Sequence, residues 1–138
     1  MDDSSSAPMV WPTVRARDAR ALVEFLTAAL GFEEVVVYSD GDMVEHAELA
    51  WPSGGGVMLG SVREDEGSGP GAPGTLSAYV ACDDPDALCD RAVAAGAVIE
   101  TAPHDTDYGS RDFSIRDPEG NHWSFGTYRG HRHATTSD

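Results

Sequence analysis

Two histidines and one glutamate carry the side chains best suited to chemistry in this sequence. His46 and Glu48 lie two residues apart in MVEHAELAW, and His122 lies in NHWSFGTY. Because alternate residues of a strand point to the same side of a sheet, apolar Ala47 and Leu49 predict that His46 and Glu48 share the other side. Imidazole nitrogen and carboxylate oxygen suit a 2-His-1-carboxylate metal site, and each group could act as a general base. The three could equally be separate polar residues of a pocket, with the glutamate paired to an arginine or a cationic ligand.

The first predicted strand, VWPTVRA, contributes three residues to the same pocket. Trp11, Thr13 and Arg15 alternate with Val14 and Ala16, whose apolar side chains are expected beneath a helix. Trp11 offers a flat aromatic surface, and Arg15 could bind an anionic group. The sequence leaves open whether Trp11 fills a closed core and whether Arg15 extends past the rim into solvent.

The second half of the chain supplies further candidates for the lining. Ser77 and Tyr79 share one side of the predicted strand TLSAYVA, and Ser124 lies two residues after the histidine of NHWSFGTY. Tyr108 precedes the segment GSRDF, and Arg111 lies within it. Arg111 could bind an anionic group of a ligand or only brace a hairpin, and Tyr79 could line the pocket or fill a core. An aromatic lining with a few polar groups favours a flat or amphipathic organic ligand.

The composition excludes several classes of function. The formal net charge is −15, which argues against nucleic acid and against an anionic membrane surface, because both require a basic face. All nine basic residues are arginines, so no lysine is available as a Schiff-base nucleophile or a base. No phosphate-binding loop and no Ser-His-Asp order stands out.

Cys82 and Cys89 are the only cysteines, and we expect both to be small buried residues rather than a disulfide or a zinc pair. The opening segment MDDSSSAPM is polar and has no apolar run, and no run elsewhere approaches membrane-spanning length. These features indicate a cytoplasmic protein.

The sequence contains two copies of one pattern, separated by about 65 residues. VRARD at 14–18 matches VACDD at 80–84, and WPSGGGVMLG at 51–60 matches DPEGNHWSFG at 117–126. Asp18 and Asp83 each precede a helical pattern, and Gly31 and Gly96 follow it. The first helix is predicted over ARALVEFLTAAL and the second over DPDALCDRAVAA, with Pro85 near its first turn.

Each copy therefore predicts a strand, a helix and three more strands. The turn in SDGD at 39–42 predicts a hairpin in the first copy, and AVIE, RDFSIRD and NHWSFGTY are the last three strands of the second. We predict an α+β fold of two tandem βαβββ modules whose mixed sheets curl into a cup, with the helices on the convex side. The predicted domain covers 9–128 (module one 9–61, linker 62–74, module two 75–128), with a disordered tail at 1–8 and a flexible tail at 129–138.

Two stretches, RARDARALVEFLTAALGF and YGSRDFSIRDPEGNHWSFGTY, resemble the vicinal oxygen chelate superfamily when taken with the paired modules. The superfamily includes glyoxalase I, extradiol dioxygenases and the fosfomycin- and bleomycin-resistance proteins. The arginine and aspartate before the first helix, and the ending YGSRDFSIRDPEGN, are most similar to the bleomycin-resistance binding proteins. This resemblance implies a homodimer whose cups are shared by two subunits.

The metal enzymes of this superfamily take their ligands from the first and last strand of each module. The resemblance places those positions at Trp11, Met58, Ser77 and Ser124, with Thr75 replacing Ser77 if the register slips by two. An indole N–H cannot ligate, a thioether is too soft for magnesium or manganese, and two neutral hydroxyls cannot balance a divalent charge. The resemblance therefore implies a pocket without the metal site of the family, and we expect no cofactor.

The sequence thus favours a metal-independent protein that binds or sequesters a small organic molecule, with antibiotics among the candidates. The alternatives are a metal-dependent lyase, isomerase or dioxygenase with a displaced site at His46, Glu48 and His122, or a metal-free isomerase that uses one of these groups as its base. The residues expected to line the ligand site are Trp11, Thr13, Arg15, His46, Glu48, Met58, Ser77, Tyr79, Tyr108, Arg111, His122 and Ser124.

Overall fold

Asp18 and Gly31 define the first helix at its two ends, in a computed structural model that describes residues 8–63, 69 and 71–131. The Asp18 carboxylate accepts a hydrogen bond from the Ala21 amide, and Gly31 adopts a left-handed conformation with φ of 90°. Glycine has no Cβ to clash in this conformation, so it ends a helix at little cost. Both helix-end predictions are confirmed.

Each module contains one helix and four strands. The elements of module one are β1 (Thr13–Ala16), α1 (Ala19–Leu30), β2 (Glu33–Asp40), β3 (Met43–Ala50) and β4 (Gly56–Ser61). The elements of module two are β5 (Ser77–Ala81), α2 (Pro85–Ala94), β6 (Val98–Asp105), β7 (Arg111–Arg116) and β8 (His122–Gly126). The predicted α+β fold of two βαβββ modules is confirmed.

The two modules form two separate open sheets with the same strand order. The first sheet has the order β1-β4-β3-β2 and the second β5-β8-β7-β6, and the first strand runs parallel to the last strand in each. Thr13 pairs with Met58, and Tyr79 pairs with Ser124, so equivalent positions are 66 residues apart. This offset places the counterpart of Asp18 at Asp84. Asp84 is the N-cap of α2 and accepts a hydrogen bond from the Ala87 amide, so the prediction that Asp83 precedes the helix as its cap was wrong by one residue.

Each sheet is covered by its helix on one side. Val14, Ala47, Leu49 and Leu59 in module one are at most 4% exposed and belong to one apolar core. Trp123 and Phe125 in module two are similarly buried. The alternation predicted from the sequence is confirmed on these strands, and it leaves the intervening polar side chains on the uncovered side of each sheet.

Several contacts join the modules within the chain. The Trp51 indole N–H donates to the Ala81 carbonyl at 3.0 Å, and the Phe32 ring lies against Trp51 and Trp123, with centroid distances of 5.0 and 5.6 Å. The Glu119 carboxylate accepts hydrogen bonds from the backbone amides that follow β1, at 2.8 Å each. The modules are therefore held by aromatic packing at one end and by hydrogen bonds at the other.

Some predictions concern residues that lie outside the described part of the chain. These are the predicted tail at 1–7, most of the linker (64–68 and 70) and the predicted tail at 132–138. The domain boundaries thus stay a prediction. Cys82 and Cys89 are buried free thiols, and none of the described helices is long and apolar enough to cross a membrane.

Candidate functional site

The uncovered side of the first sheet carries five of the predicted lining residues. The strand pairs place Thr13, Met58 and Glu48 in one row across the sheet. Arg15 pairs with Gly60 in the next row, and His46 lies two residues before Glu48 on the same side of β3. We call this set, Thr13, Arg15, His46, Glu48 and Met58, the module-one face. Thr13, Arg15, His46 and Met58 also line a depression of about 140 Å³.

His46 and Glu48 form a hydrogen-bonded pair on the module-one face. The imidazole Nε2 lies 2.8 Å from the Glu48 Oε2, and the two side chains are 40% and 29% exposed. The Tyr38 ring is stacked on the imidazole with a centroid distance of 6.4 Å. The carboxylate is therefore paired with the neighbouring histidine of its own strand, rather than with an arginine across the sheet.

Trp11 differs from its prediction because β1 begins at Thr13 and not at the start of VWPTVRA. The Trp11 indole N–H donates to the Pro8 carbonyl at 2.9 Å, within the segment that precedes the strand. Its ring lies over Gly56, where a Cβ would be 2.9 Å from a ring carbon. A glycine at 56 therefore allows the tryptophan to pack against the backbone beside the module-one face.

The uncovered side of the second sheet carries a continuous chain of hydrogen bonds. The Glu100 Oε1 lies 2.6 Å from the Nδ1 of His122, and the Nε2 of His122 lies 3.0 Å from the Ser124 hydroxyl. Arg116 donates to the second Glu100 oxygen at 2.6 Å. These contacts lower the pKa of the Glu100 carboxyl, with the Arg116 hydrogen bond as the largest cause and the His122 hydrogen bond as the next.

We call the set Ser77, Tyr79, Glu100, Arg116, His122 and Ser124 the module-two face. Sequence reasoning missed Glu100 and Arg116. The ladder between β6 and β7 shifts its register between Ile99 and Thr101, so Glu100 lies in a bulge. A bulge re-aims side chains, and strand alternation cannot say which way such a residue points. The predicted strand AVIE also stopped at Glu100, whereas β6 continues to Asp105.

Tyr79 lies beside Ser124 and reaches across the last strand. Its hydroxyl donates to the Tyr128 carbonyl at 2.5 Å, and its ring remains 45% exposed, so it does not fill a closed core. A Cβ on Gly126 would lie 2.7 Å from this hydroxyl and 2.1 Å from an Asp112 carboxylate oxygen. The pKa of Tyr79 is raised, chiefly by desolvation.

Arg111 lies on the opposite side of the second sheet from the module-two face, whereas Tyr108 lies beside that face. Arg111 forms hydrogen-bonded ion pairs with Asp86 of α2 and Asp105 of β6, at 2.9 and 3.0 Å, on the helix side of the second sheet. It therefore braces the helix against the sheet. The Tyr108 hydroxyl donates to Asp112 at 3.1 Å, and its ring packs edge-on against Tyr128.

A larger cleft lies between the modules, and sequence reasoning identified only one of its residues. Its volume is about 370 Å³, and Phe32, Trp51 and Trp123 give it an aromatic lining. Tyr79 and Arg129 also line it. Tyr79 thus belongs both to the cleft and to the module-two face. The size falls within the usual range for pockets that bind small organic molecules, about 300–1,000 Å³.

The donor atoms at the four positions implied by the resemblance do not fit a divalent metal ion. Trp11 is bonded through its indole N–H, Met58 offers a thioether, and Ser77 and Ser124 offer neutral hydroxyls. Across the part of the chain that the structure describes, no three His, Cys, Asp or Glu side chains are grouped so as to share a metal ion. His46, Glu48 and His122 therefore do not converge within one chain.

Comparisons with known proteins agree with this architecture. The family model for the glyoxalase/bleomycin resistance protein/dioxygenase superfamily matches residues 9–125. The uncharacterized protein Mb0911c of Mycobacterium bovis is 33% identical over 129 residues, which cover 86% of this chain and 82% of that protein.

Solved structures share the fold. TioX from Micromonospora sp. ML1 superimposes with a TM-score of 0.69 at 27% identity, covering 85% of this chain and 97% of that chain. TnmS3, an antibiotic binding protein from Streptomyces sp. CB03234, superimposes with a TM-score of 0.67 at 22% identity, covering 88% and 95%. From the match of the family model over most of its length, this chain belongs to the glyoxalase/bleomycin resistance protein/dioxygenase superfamily.

Proposed function

We propose that this protein binds a small organic molecule without the help of a divalent metal ion. The observation that carries the proposal is the donor set at Trp11, Met58, Ser77 and Ser124, where the metal enzymes of the superfamily require carboxylate or imidazole ligands. Binding then depends on side-chain contacts alone.

The exposed side chains suggest the chemistry of the ligand. Tyr38 and Tyr79 present aromatic surface, and the cleft beside Tyr79 adds Trp51 and Phe32. Aromatic walls with a few polar groups suit a flat, amphipathic molecule, and the Glu48 carboxylate would favour a cationic group on it. Because TnmS3 has this fold and is an antibiotic binding protein, we place antibiotics first among the candidate ligands.

We further propose that the protein is a homodimer that builds each cup from two chains. The supporting observation is the apolar surface on the uncovered sides of the sheets, where Tyr38 is 61% exposed and Val98 is 65% exposed. Val98 pairs with Arg116 across the ladder, so it lies on the same side as the module-two face. A second copy of the chain would cover this surface, and a module of one chain would then lie opposite a module of the other chain. Sedimentation equilibrium should give a dimer, and a monomer at ligand-binding concentrations would contradict this assignment.

A metal-free isomerase is the second candidate, and the His46–Glu48 hydrogen bond is the observation that favours it. A carboxylate that fixes an imidazole can support proton transfer to and from a carbon acid. The two functions differ in a simple measurement. An isomerase would exchange the α-proton of a keto or hydroxy acid with deuterium oxide, whereas a binding protein would not.

A thermal-shift screen of chelator-treated protein tests the proposed function. Glycopeptide and aromatic antibiotics form one panel, and small keto acids and thiol adducts form the other. A ligand at about a hundred times its Kd should stabilise the folded state by about 2.7 kcal/mol, and we expect this from an antibiotic. Sequestration is wrong if only a keto acid or thiol adduct shifts the unfolding temperature, or if the shift requires an added metal.

A matched pair of variants locates the binding surface. Glu48→Gln keeps the size of the side chain but removes its charge, and it should weaken binding of a cationic antibiotic. Glu24→Gln makes the same change on the exposed side of α1 and should leave binding unchanged. Equal affinities in the two variants would place the ligand elsewhere.

We also infer a cytoplasmic location, for which the two free cysteines give support, because oxidising compartments favour paired cysteines. Fractionation of cells that produce the protein would test the location, and recovery outside the cytoplasm would contradict it.

A further inference from the structure

The module-two face contains a carboxylate, an imidazole and a hydroxyl joined in series. Glu100 binds the Nδ1 of His122 at 2.6 Å, and the Nε2 of the same ring faces the Ser124 hydroxyl at 3.0 Å. This is the connectivity of the Ser-His-Asp/Glu triads of hydrolases, which are recognised by geometry and not by chain order. We propose that Ser124 is a nucleophile for acyl transfer from activated carboxylic esters, with His122 as its base and Glu100 as the residue that positions the imidazole.

The contacts of Glu100 fix the orientation of the ring. Arg116 holds the second Glu100 oxygen at 2.6 Å and also donates to the Gly120 carbonyl at 2.8 Å, so the guanidinium is anchored to the turn before β8. An ionised carboxylate accepts the proton of Nδ1, which leaves the lone pair of Nε2 directed at the serine. Ser124 can then donate its hydroxyl proton to Nε2.

The residues that pair with Ser124 across the sheet are placed to contact the substrate. Ser124 pairs with Tyr79 on one side and Ser114 on the other. Ser114 is 6% exposed, and its hydroxyl has no hydrogen bond to any other described residue. It is therefore available to donate to the oxyanion of a tetrahedral intermediate. The Tyr79 ring, 45% exposed, offers a flat surface for the leaving group, and the His122 side chain is 32% exposed and accessible.

The reaction balances without a metal or a redox partner. The Ser124 Oγ forms a bond to the acyl carbon while its proton passes to Nε2 of His122. When the ester C–O bond breaks, the departing alcohol or phenol takes that proton, and an acyl-serine remains. Water attacks the acyl carbon with His122 again as base, and it releases the carboxylic acid and the free serine.

This activity does not depend on the proposed binding function. All three residues lie in module two of one chain, so a second copy is not required. The antibiotic-dependent thermal shift of the wild-type protein reports binding, and the acyl group on Ser124 reports the activity, so failure of one proposal is distinguishable from failure of the other.

The test uses p-nitrophenyl acetate, with the acyl-enzyme followed by intact mass and peptide mapping. The chain has no lysine, so background acetylation at amines is small. We expect the acetyl group on Ser124 and a loss of about 100-fold or more in acylation rate for Ser124→Ala and His122→Ala. Ser39→Ala, on the exposed part of β2, is the matched control and should retain the wild-type rate.

Further variants separate catalysis from structure. Glu100→Gln should slow acylation about 10- to 100-fold without moving the labelled site, and Glu100→Asp should recover part of the rate. Ser124→Cys should still form an acyl-enzyme, which covers the case that Ser124→Ala folds poorly. The proposal is overturned if wild-type protein hydrolyses the ester no faster than buffer, if the label maps to another residue, or if folded Ser124→Ala keeps the wild-type rate.

Discussion

The indole N–H of Trp51, the residue after β3, donates a hydrogen bond to the carbonyl of Ala81, the last residue of β5. This hydrogen bond is a direct polar contact between the two modules. The centroid of the Trp51 ring lies 5.0 Å from that of Phe32 and 6.1 Å from that of Phe125. The end of β5 is therefore held by a residue that has no counterpart in the second copy, where the equivalent position is Asp117.

Changing Trp51 should separate the contribution of the hydrogen bond from that of the ring. Trp51→Phe keeps aromatic contact but loses the donor, and we expect a loss of about 1 kcal/mol in the free energy of unfolding. Trp51→Ala should cost about 3 kcal/mol. Trp11→Phe, whose indole bonds only to nearby Pro8, is the control and should stay within about 0.5 kcal/mol. Urea denaturation measures all three, and equal effects at Trp51 and Trp11 would contradict the account.

Gly126 is required because two side chains occupy the space above it. A Cβ would lie 2.1 Å from an Asp112 oxygen and 2.7 Å from the Tyr79 hydroxyl, so Gly126→Ala should destabilise the fold by about 1–3 kcal/mol. In an Asp112→Ala background the closer contact is absent, and the cost of Gly126→Ala should fall. A double-mutant cycle measures this coupling, and additive effects would show that the carboxylate is not the obstacle.

The ion pair of Glu100 and Arg116 predicts a pH-dependent stability. The pKa of Glu100 is lowered from its ordinary value of 4.5, chiefly by Arg116, so the carboxylate stabilises the folded state above about pH 4.5. That contribution is lost as the pH falls through the lowered pKa. Arg116→Gln should therefore be most destabilising near neutral pH and less so in acid. Arg20→Gln, which loses a hydrogen bond to a carbonyl and not to a carboxylate, should show no such trend.

The Cys82 thiol should resist modification while the protein is folded. Desolvation by burial is the main cause that raises the pKa of Cys82 to about 11, and only the thiolate reacts with alkylating reagents. In a Cys89→Ala background, which leaves one thiol, iodoacetamide at about pH 8 should react about 100-fold more slowly with folded protein than with unfolded protein. Equal rates, followed by intact mass, would mean that Cys82 is exposed.

The elements with strong local signals were predictable from the sequence. The Asp18 cap, the apolar stripe of α1 and Gly31 all predict the same first helix. Strand alternation placed the side chains of Trp123 and Phe125 on the side of the second sheet that its helix covers. The match between the two copies gave the fold, although Asp84 and not Asp83 caps α2.

The candidate site was predictable only in part, for physical reasons that differ between residues. Strand alternation placed His122 and Ser124 on the uncovered side, but it could not place Glu100, because a bulge breaks the period of two at that point. Arg111 lies one residue from Asp112 and so on the opposite side of β7, where two acidic side chains hold it. The larger cleft between the modules, lined by Trp51, depends on how the two modules pack together, and no local sequence pattern predicts that packing.

Calorimetric titration of chelator-treated protein with Mn²⁺, Fe²⁺, Ni²⁺ and Zn²⁺ tests the central claim most directly. The claim is that Trp11, Met58, Ser77 and Ser124 leave this chain without the metal site of its superfamily. The account predicts no stoichiometric binding of any of these ions. One ion bound per chain with a Kd of about 1 μM or tighter, and lost on Ser124→Ala, would contradict it.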